Sequence, residues 1–384
     1  MDYNPEAMNV EEILADLVGI DSRSSVSNRG VVDYAAARVG RLGMRARLLP
    51  YADERGVEKV QLVACAPHEA EDLELVLVGH TDTVPFDPAW AGALRLEERD
   101  GNLYGRGACD TKGFIAAALA ALEATDLGAL RRPLALVLTA DEEVGCLGAK
   151  RLAEGRSFRA RHAVVGEPTG LRPMRAGKGY CLAEAIVRGR EAHSAYPALG
   201  ASAITRAARL ITRVERVAEE LRGHAHEAFD PPHTTVNVGL VEGGTAKNVV
   251  AGECRFTLEW RPVPGQRPEL VAELAGREIE ALRAEDPDFD AALEVTRLDG
   301  GMETPADAPL VRALEELTGR GAGTISFGTE APQMAELGAQ SVVFGPGDIR
   351  VAHRTGEFVP RAELRAAASI LRGVIERFCA PGHQ

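Results

Sequence analysis

Nothing in the 384-residue chain approaches the roughly 18 consecutive apolar residues of a membrane-spanning helix, so no membrane role is expected. The acidic start, MDYNPEAMNVEE, lacks the apolar stretch of a secretory signal. Cysteines stand at 65, 109, 146, 181, 254 and 379 without any C-x-x-C pair. That spacing suggests neither a disulfide framework nor a thiolate zinc site, and a reducing cytoplasm fits best. Positive charge is in deficit, with 44 Lys and Arg against 57 Asp and Glu, and the net charge of −13 argues against nucleic acid as a partner. The same excess makes the field around a cleft favourable to cationic small molecules. There is no internal repeat and no low-complexity linker. A dinucleotide fingerprint is also missing, because Asp110 occupies the place of the third glycine in G-x-G-x-x-G.

What is present is an ordinary globular composition, 45% hydrophobic and 26% charged, in a chain long enough for two domains. The stretch Leu75–Gly113 organises the rest. Leu75 to Val78 reads as a strand buried on both faces, ending at Gly79 with His80 and Asp82 just beyond. If the backbone stays extended, residues i and i+2 share a face, so Asp82 would accept the proton on the second ring nitrogen of His80. Asp110 follows Gly105, Arg106 and Gly107 and precedes an apolar helix, Phe114 to Leu122, for which it could simply be a cap.

The same texture recurs along the chain. Asn9 and Glu12 make a capping-box start to a helix with the apolar stripe Val10, Ile13, Leu14, Leu17 and Val18. A second helix is expected from Val31 to Leu42, then extended segments at Arg45–Leu49 and Lys59–Cys65. Leu134 to Thr139 is another buried strand, running into Asp141, Glu142 and Glu143, and His162 to Val165 a third, running into Gly166 and Glu167. Alternating strands and helices imply an α/β fold with a mostly parallel sheet, whose sites lie beyond the carboxyl ends of the strands. From about Arg175 the order becomes β-α-β-β-α-β, the signature of a ferredoxin-like sandwich, and after Pro305 the first texture returns. Residues 1–173 and 304–384 are therefore expected to form a discontinuous catalytic domain, and 174–303 an inserted domain.

The strand-end groups are His80, Asp110, Glu143, Glu167 and His353, with Glu142 beside Glu143. Two imidazoles and three carboxylates suit zinc, cobalt or manganese, and five ligands exceed one four-coordinate site. Two ions sharing one carboxylate would use all five, and Asp110, central in the order, is the candidate bridge. Such a pair, about 3.5–4 Å apart, activates water and polarises a carbonyl. Glu142, pointing away from Glu143, would be the general base, although a run of Asp and Glu alone could be a solvated acidic turn.

The segments GHTDTVP, GRGACDTKG, TADEEVG, GEPT and the late GPG and AH resemble the motifs of the dinuclear zinc amidohydrolases, which include acetylornithine deacetylase, succinyl-diaminopimelate desuccinylase, aminoacylase and zinc carboxypeptidases. The match runs from about Ile13 to Arg361, in the family's order. This resemblance implies two zinc ions per subunit, with cobalt as a possible substitute. His80, Asp110 and Glu167 would hold one, Asp110, Glu143 and His353 the other, and Glu142 would be the catalytic base. It also implies that the inserted domain is a lid that dimerises, with His193 reaching the partner's site to stabilise an oxyanion. Asn248 and Arg261 match lid positions for a substrate carboxylate. The usual Asp of the acidic-x-Arg motif is replaced here by Glu259.

FGTEAPQMAELG and GPGDIRVAHRTGE look like the acetylornithine deacetylase branch. The resemblance thus implies a cytoplasmic homodimer that cleaves N2-acetyl-L-ornithine in arginine biosynthesis. Acetylcitrulline, acetyl-lysine and succinyl-diaminopimelate remain as substrates of the same chemistry, and a silent binding relative as a different class. Glu330 would pair with the δ-ammonium of the substrate, or else cap the following helix or brace its loop.

Overall fold

The structure is a computed structural model that describes residues 10–381. Asn9, the expected first half of the capping box, lies outside the described residues. The chain divides into two compact units: Met1–Arg175 with Thr304–Gly323 and Thr329–Gln384, and Ala176–Glu303 with Thr324–Gly328.

In the first unit the main sheet runs, in spatial order, through Arg45–Ala52, Glu58–Ala66, Leu134–Thr139, Asp72–His80, Arg159–Gly166 and Gln340–Phe344. The first two strands are antiparallel, and the remaining four run parallel to one another. All six residues of LALVLT at 134–139 are buried, as expected of a strand covered on both faces. Parallel alignment puts the carboxyl ends of the four strands on one edge of the sheet. His80, the turn after Thr139, Glu167 after Gly166, and the loop after Phe344 therefore share that edge.

The helix Lys112–Glu123 is buried along its length up to Leu122 and packs against Val10–Val18 and Arg361–Cys379. Two glycines let it lie directly on the sheet beside the strand ends. A Cβ on Gly79 would come within 3.1 Å of Ile115 Cγ1 and 3.3 Å of Phe114 Cδ1, and one on Gly166 would overlap the Phe114 ring. Thr111, not Asp110, precedes this helix, so Asp110 is not its cap. The second helix spans Arg29–Arg41, starting ahead of the expected Val31 because Arg29 and Gly30 carry no apolar periodicity. Three short strands, Glu97–Arg99, Asn102–Tyr104 and Phe358–Pro360, form a small separate sheet. Three residues are too few to show a period, and none was expected.

The second unit holds a four-stranded antiparallel sheet in the order Thr235–Gly243, Glu253–Arg261, Tyr180–Arg188, Asp290–Asp299, with helices Ala203–Leu221 and Leu270–Glu285 in β-α-β-β-α-β order. Burial alternates along Glu253–Arg261, so one face of the sheet carries the core. Val187, Leu210, Val214, Phe256, Trp260 and Ile279 lie in it, and the buried indole of Trp260 donates to the Pro268 carbonyl at 2.7 Å. Ser202 caps the first of these helices through Thr205 N. The edge strand Thr235–Gly243 exposes Leu240 and Val241. Among the described residues no helix is long and apolar enough to cross a membrane, and all six cysteines are buried.

Candidate active site

Where the parallel strands end, the backbone stops satisfying its neighbours and side chains take over. His80 is the last residue of its strand and is buried. Its Nε2 lies 3.0 Å from Asp110 Oδ1, and its Nδ1 lies 3.0 Å from the main-chain oxygen of Asp82. The expected bond to the Asp82 carboxylate is not formed, the nearest oxygen being 3.7 Å away. The i, i+2 rule fails here because the strand ends at His80 and Asp82 lies beyond it. The Asp82 carboxylate instead accepts from Glu142 N at 3.1 Å, Glu143 N at 3.3 Å and Ser24 Oγ at 2.7 Å. Its work is to hold the acidic turn.

That turn is rigid. Gly145 N and Cys146 N both donate to Glu142 O at 2.9 Å, Leu147 N to Asp141 O and Gly148 N to Ala140 O at 3.0 Å. Asp141 and Cys146 take left-handed backbone angles, φ 58° and 55°. Asp141 is anchored by Lys59, whose Nζ is 2.8 Å from its Oδ1, and by the Tyr51 hydroxyl at 2.8 Å. The ammonium also donates to the carbonyls of Ser24 at 2.8 Å and Val26 at 3.0 Å. Lys59 is an unforeseen part of the site. The signal was a lysine inside the apolar strand EKVQLVACA, since a buried ammonium requires a partner.

The turn sends its two glutamates apart. Glu143 meets His353, whose Nε2 is 3.1 Å from Glu143 Oε2 and 3.1 Å from Asp110 Oδ2. Glu142 accepts the Cys146 thiol at 3.3 Å on Oε1. Donor atoms of His80, Asp110 and Glu167 all lie within 4.8 Å of one another, and so do those of Asp110, Glu143 and His353. Asp110 is common to both groups, and Glu142 belongs to neither.

At this edge carboxylates outnumber imidazoles. Burial pushes Glu142 up to about 8, with Glu143, Glu330 and Asp110 adding to the rise against His80. Burial also raises Glu143, and it drives Glu167 well above the ordinary range with help from Asp110 and Glu142. For Asp110 burial works upward too, but hydrogen bonds from His353 and His80 outweigh it and hold the group low. Those bonds raise the imidazoles in turn. His80 goes well above its usual value despite burial, and His353, bonded to Asp110 and Glu143, goes to about 10. A set of nitrogen and oxygen donors around surplus buried carboxylate is what divalent cations neutralise, so these residues fit a metal pair.

Glu330 precedes the helix Ala331–Glu336 but makes no side-chain cap bond, which removes the capping alternative. It is buried, and among the described residues its Oε1 has no hydrogen-bond partner. Burial raises it to about 7, and the charges of His80 and Asp82 act on it. His193, Asn248 and Arg261 belong to the other unit. Exposed His193 accepts Ala195 N on Nδ1 at 3.1 Å, and Ser194 N donates to Asn248 O at 3.0 Å, so the His193 and Asn248 segments adjoin. Arg261 is held by Glu259 at 2.8 Å and by the Ser326 carbonyl at 2.9 Å, with its guanidinium 4.5 Å from the Tyr180 ring centre. Glu259 thus supports the arginine in place of the usual Asp.

Residues 76–377 match peptidase family M20/M25/M40. The chain is 55% identical over 369 residues to an acetylornithine deacetylase of Myxococcus xanthus, covering 95% of this chain and 96% of that one. It is 35% identical to an acetylornithine deacetylase of Klebsiella pneumoniae, covering 92% of each. In fold it is similar to a tripeptidase from Staphylococcus aureus, with a TM-score of 0.78, 24% identity and 98% of each chain covered. An M20 family metallo-carboxypeptidase from Sulfolobus solfataricus gives a TM-score of 0.76 at 18% identity, over 98% of this chain and 99% of that one.

Proposed function

This chain belongs to peptidase family M20/M25/M40, and on that premise we propose that it is a cytoplasmic, homodimeric, two-zinc hydrolase that converts N2-acetyl-L-ornithine to L-ornithine and acetate in arginine biosynthesis. The observation that carries the reading is the pair of ligand groups sharing Asp110 beside a glutamate that joins neither. The deacetylase name of the 55% identical relative supports the substrate.

His80, Asp110 and Glu167 would hold one zinc and Asp110, Glu143 and His353 the other. When bound, the pair supplies Lewis acidity and a water of lowered pKa. Glu142 takes the proton of the attacking water and returns it to the leaving amine nitrogen. Asp82 keeps Glu142 and Glu143 in place through their amides, and the Cys146 thiol orients Glu142 Oε1. Arg261 and Asn248 bind the α-carboxylate, and His193 of the partner subunit donates to the oxyanion. The inserted unit, 174–303 in the sequence reading, serves as lid and dimer contact. Its exposed Leu240 and Val241 on an edge strand, together with Tyr196, Leu199 and Ile204, favour pairing with a second copy.

Glu330 gives the substrate preference its physical reason, as a buried carboxylate with a spare acceptor suits a δ-ammonium. Amine release from N-acetyl-L-ornithine and N-acetyl-L-citrulline, on metal-free protein titrated with zinc, tests this. Activity should rise to two equivalents and favour ornithine. In Glu330→Gln, kcat/KM for the ornithine substrate should fall about 10–150-fold, as for loss of a charged hydrogen bond, while the citrulline substrate changes little. Citrulline preferred by the parent would overturn the substrate assignment, and inactivity with zinc bound would redirect the reading to other acyl groups or a silent relative.

Zinc must displace protons from these ligands, since both imidazoles are raised. Calorimetric titration at pH 7.5 in buffers of different ionisation enthalpy should show release of two or more protons per chain, from the two imidazoles and from the raised Glu142 and Glu167. A heat independent of buffer would mean that the histidines were already neutral.

A further inference from the structure

Glu357 takes no part in either ligand group, yet its carboxylate accepts three hydrogen bonds beside them. Its side chain is fully buried. Oε1 accepts from two consecutive amides, Cys109 N and Asp110 N, each at 3.0 Å. Oε2 takes Arg106 Nη1 at 2.5 Å, and Arg106 Nη2 continues to the Pro85 carbonyl at 3.2 Å. The main chain adds a further tie, from Gly105 N to Glu357 O at 3.1 Å. Gly105, Arg106, Cys109 and Asp110, four residues of the turn that delivers Asp110, are therefore all tied to Glu357, beside a separate bond from Arg106 N to Ala93 O at 2.8 Å, and Glu357 stands four positions after His353.

The two ligand groups depend on this mooring unequally. His80 and Glu167 issue from the ends of hydrogen-bonded neighbouring strands, Asp72–His80 and Arg159–Gly166, whose spacing the sheet sets. His353 sits on a loop, with a left-handed backbone at φ 58° and a half-exposed side chain. Among the described residues, its recorded side-chain partners are Asp110 and Glu143. At its start the loop is tied by Gly345 N to Thr169 Oγ1 and by Gly347 N to Glu363. At its end it is tied by Glu357.

We infer that Glu357 is a positioning residue that holds the His353 loop against the Asp110 turn, so that the Asp110, Glu143 and His353 donors are assembled before an ion arrives. The inference rests on the metal reading of the site. Only a carboxylate meets the demand at this point, which is three donors and no acceptor. An amide would turn its NH2 either toward the Arg106 guanidinium or toward the two backbone amides. In both cases a donor faces a donor in a buried place.

The test is Glu357→Gln, of nearly unchanged volume, beside Arg38→Gln. The latter breaks a half-buried ion pair to Glu123, at 2.8 Å, that lies outside the ligand groups and their hydrogen bonds. Zinc is titrated into each metal-free protein against a competing chelator, and melting temperatures are recorded. The expected result is that one of two zinc equivalents weakens about 10–100-fold in Glu357→Gln, the usual effect of losing a partner behind the ligands. Arg38→Gln should bind both as the parent does, even where it melts lower. Should Glu357→Gln not fold, Glu357→Asp is read the same way, because its retracted carboxylate keeps the charge but cannot reach all three donors. A folded Glu357 variant that binds both equivalents like the parent would overturn the inference, as would equal weakening in Arg38→Gln. A parent that bound no zinc would instead overturn the ligand reading itself.

Discussion

Glu142→Gln should keep both zinc equivalents and lose turnover by about 10²–10⁴-fold, the range for a general acid–base group. The geometry separates these two outcomes. Glu143 faces His353, whereas Glu142 is absent from both donor groups and accepts only the Cys146 thiol among the bonds recorded for its side chain. The turn that carries it is held by main-chain bonds and by Asp82 through amides, none of which the substitution touches. An amide in its place cannot take a proton from water, so the loss belongs in kcat more than in KM. Glu142 is raised to about 8 by burial and by its carboxylate neighbours. Neutralising those neighbours with dications lowers it, which leaves the base ionised under working conditions. Zinc content and single-turnover rate measured on the same sample decide the matter. Near-parental turnover at full metal content would remove Glu142 from the mechanism.

Lys59→Met should be the most damaging single change to stability among residues away from the ligands. Lys59 and Asp141 have side chains 0% and 2% exposed, 2.8 Å apart. Removing the ammonium strands the Asp141 charge in the interior and frees two carbonyls, those of Ser24 and Val26. Breaking a buried pair on one side costs about 3–5 kcal/mol. Adding Asp141→Asn should recover part of that, because asparagine removes the stranded charge and still tolerates the left-handed angle. Urea unfolding followed by circular dichroism measures both variants. A Lys59→Met protein with the parent's midpoint would show that the pair contributes nothing, and a double variant no better than the single would place the cost in packing.

The parts of this molecule that could be read beforehand are those written in short-range pattern. A run such as LALVLT declares a covered strand, and a histidine or carboxylate just past such a run declares the reactive edge of a parallel sheet. The ferredoxin-like order of the second unit was legible for the same reason, as two amphipathic helices and four strands each have their own period. What escaped depends on direction in space. The reversal at Asp82, whose carbonyl rather than carboxylate faces His80, could not be read from spacing once the strand had ended. Glu357 is separated from Asp110 by the whole inserted unit, and no local pattern joins them. Lys59 did leave a trace, a charge inside an apolar strand, but its partner Asp141 is set by a turn whose left-handed angles no motif announces.

The discontinuity of the first unit has a consequence for synthesis. His80, Asp110 and Glu167 all precede the second unit in the chain, whereas His353 and Glu357 follow it. A nascent chain therefore carries one complete donor group early, and the other only when almost all of it has left the ribosome. Until then the surplus of buried carboxylate at the strand ends has neither its second imidazole nor the loop that brings it. The strand Gln340–Phe344, which pairs with Arg159–Gly166, arrives equally late. A ribosome stalled before residue 340 would thus display a sheet open along the very edge strand that bears Glu167.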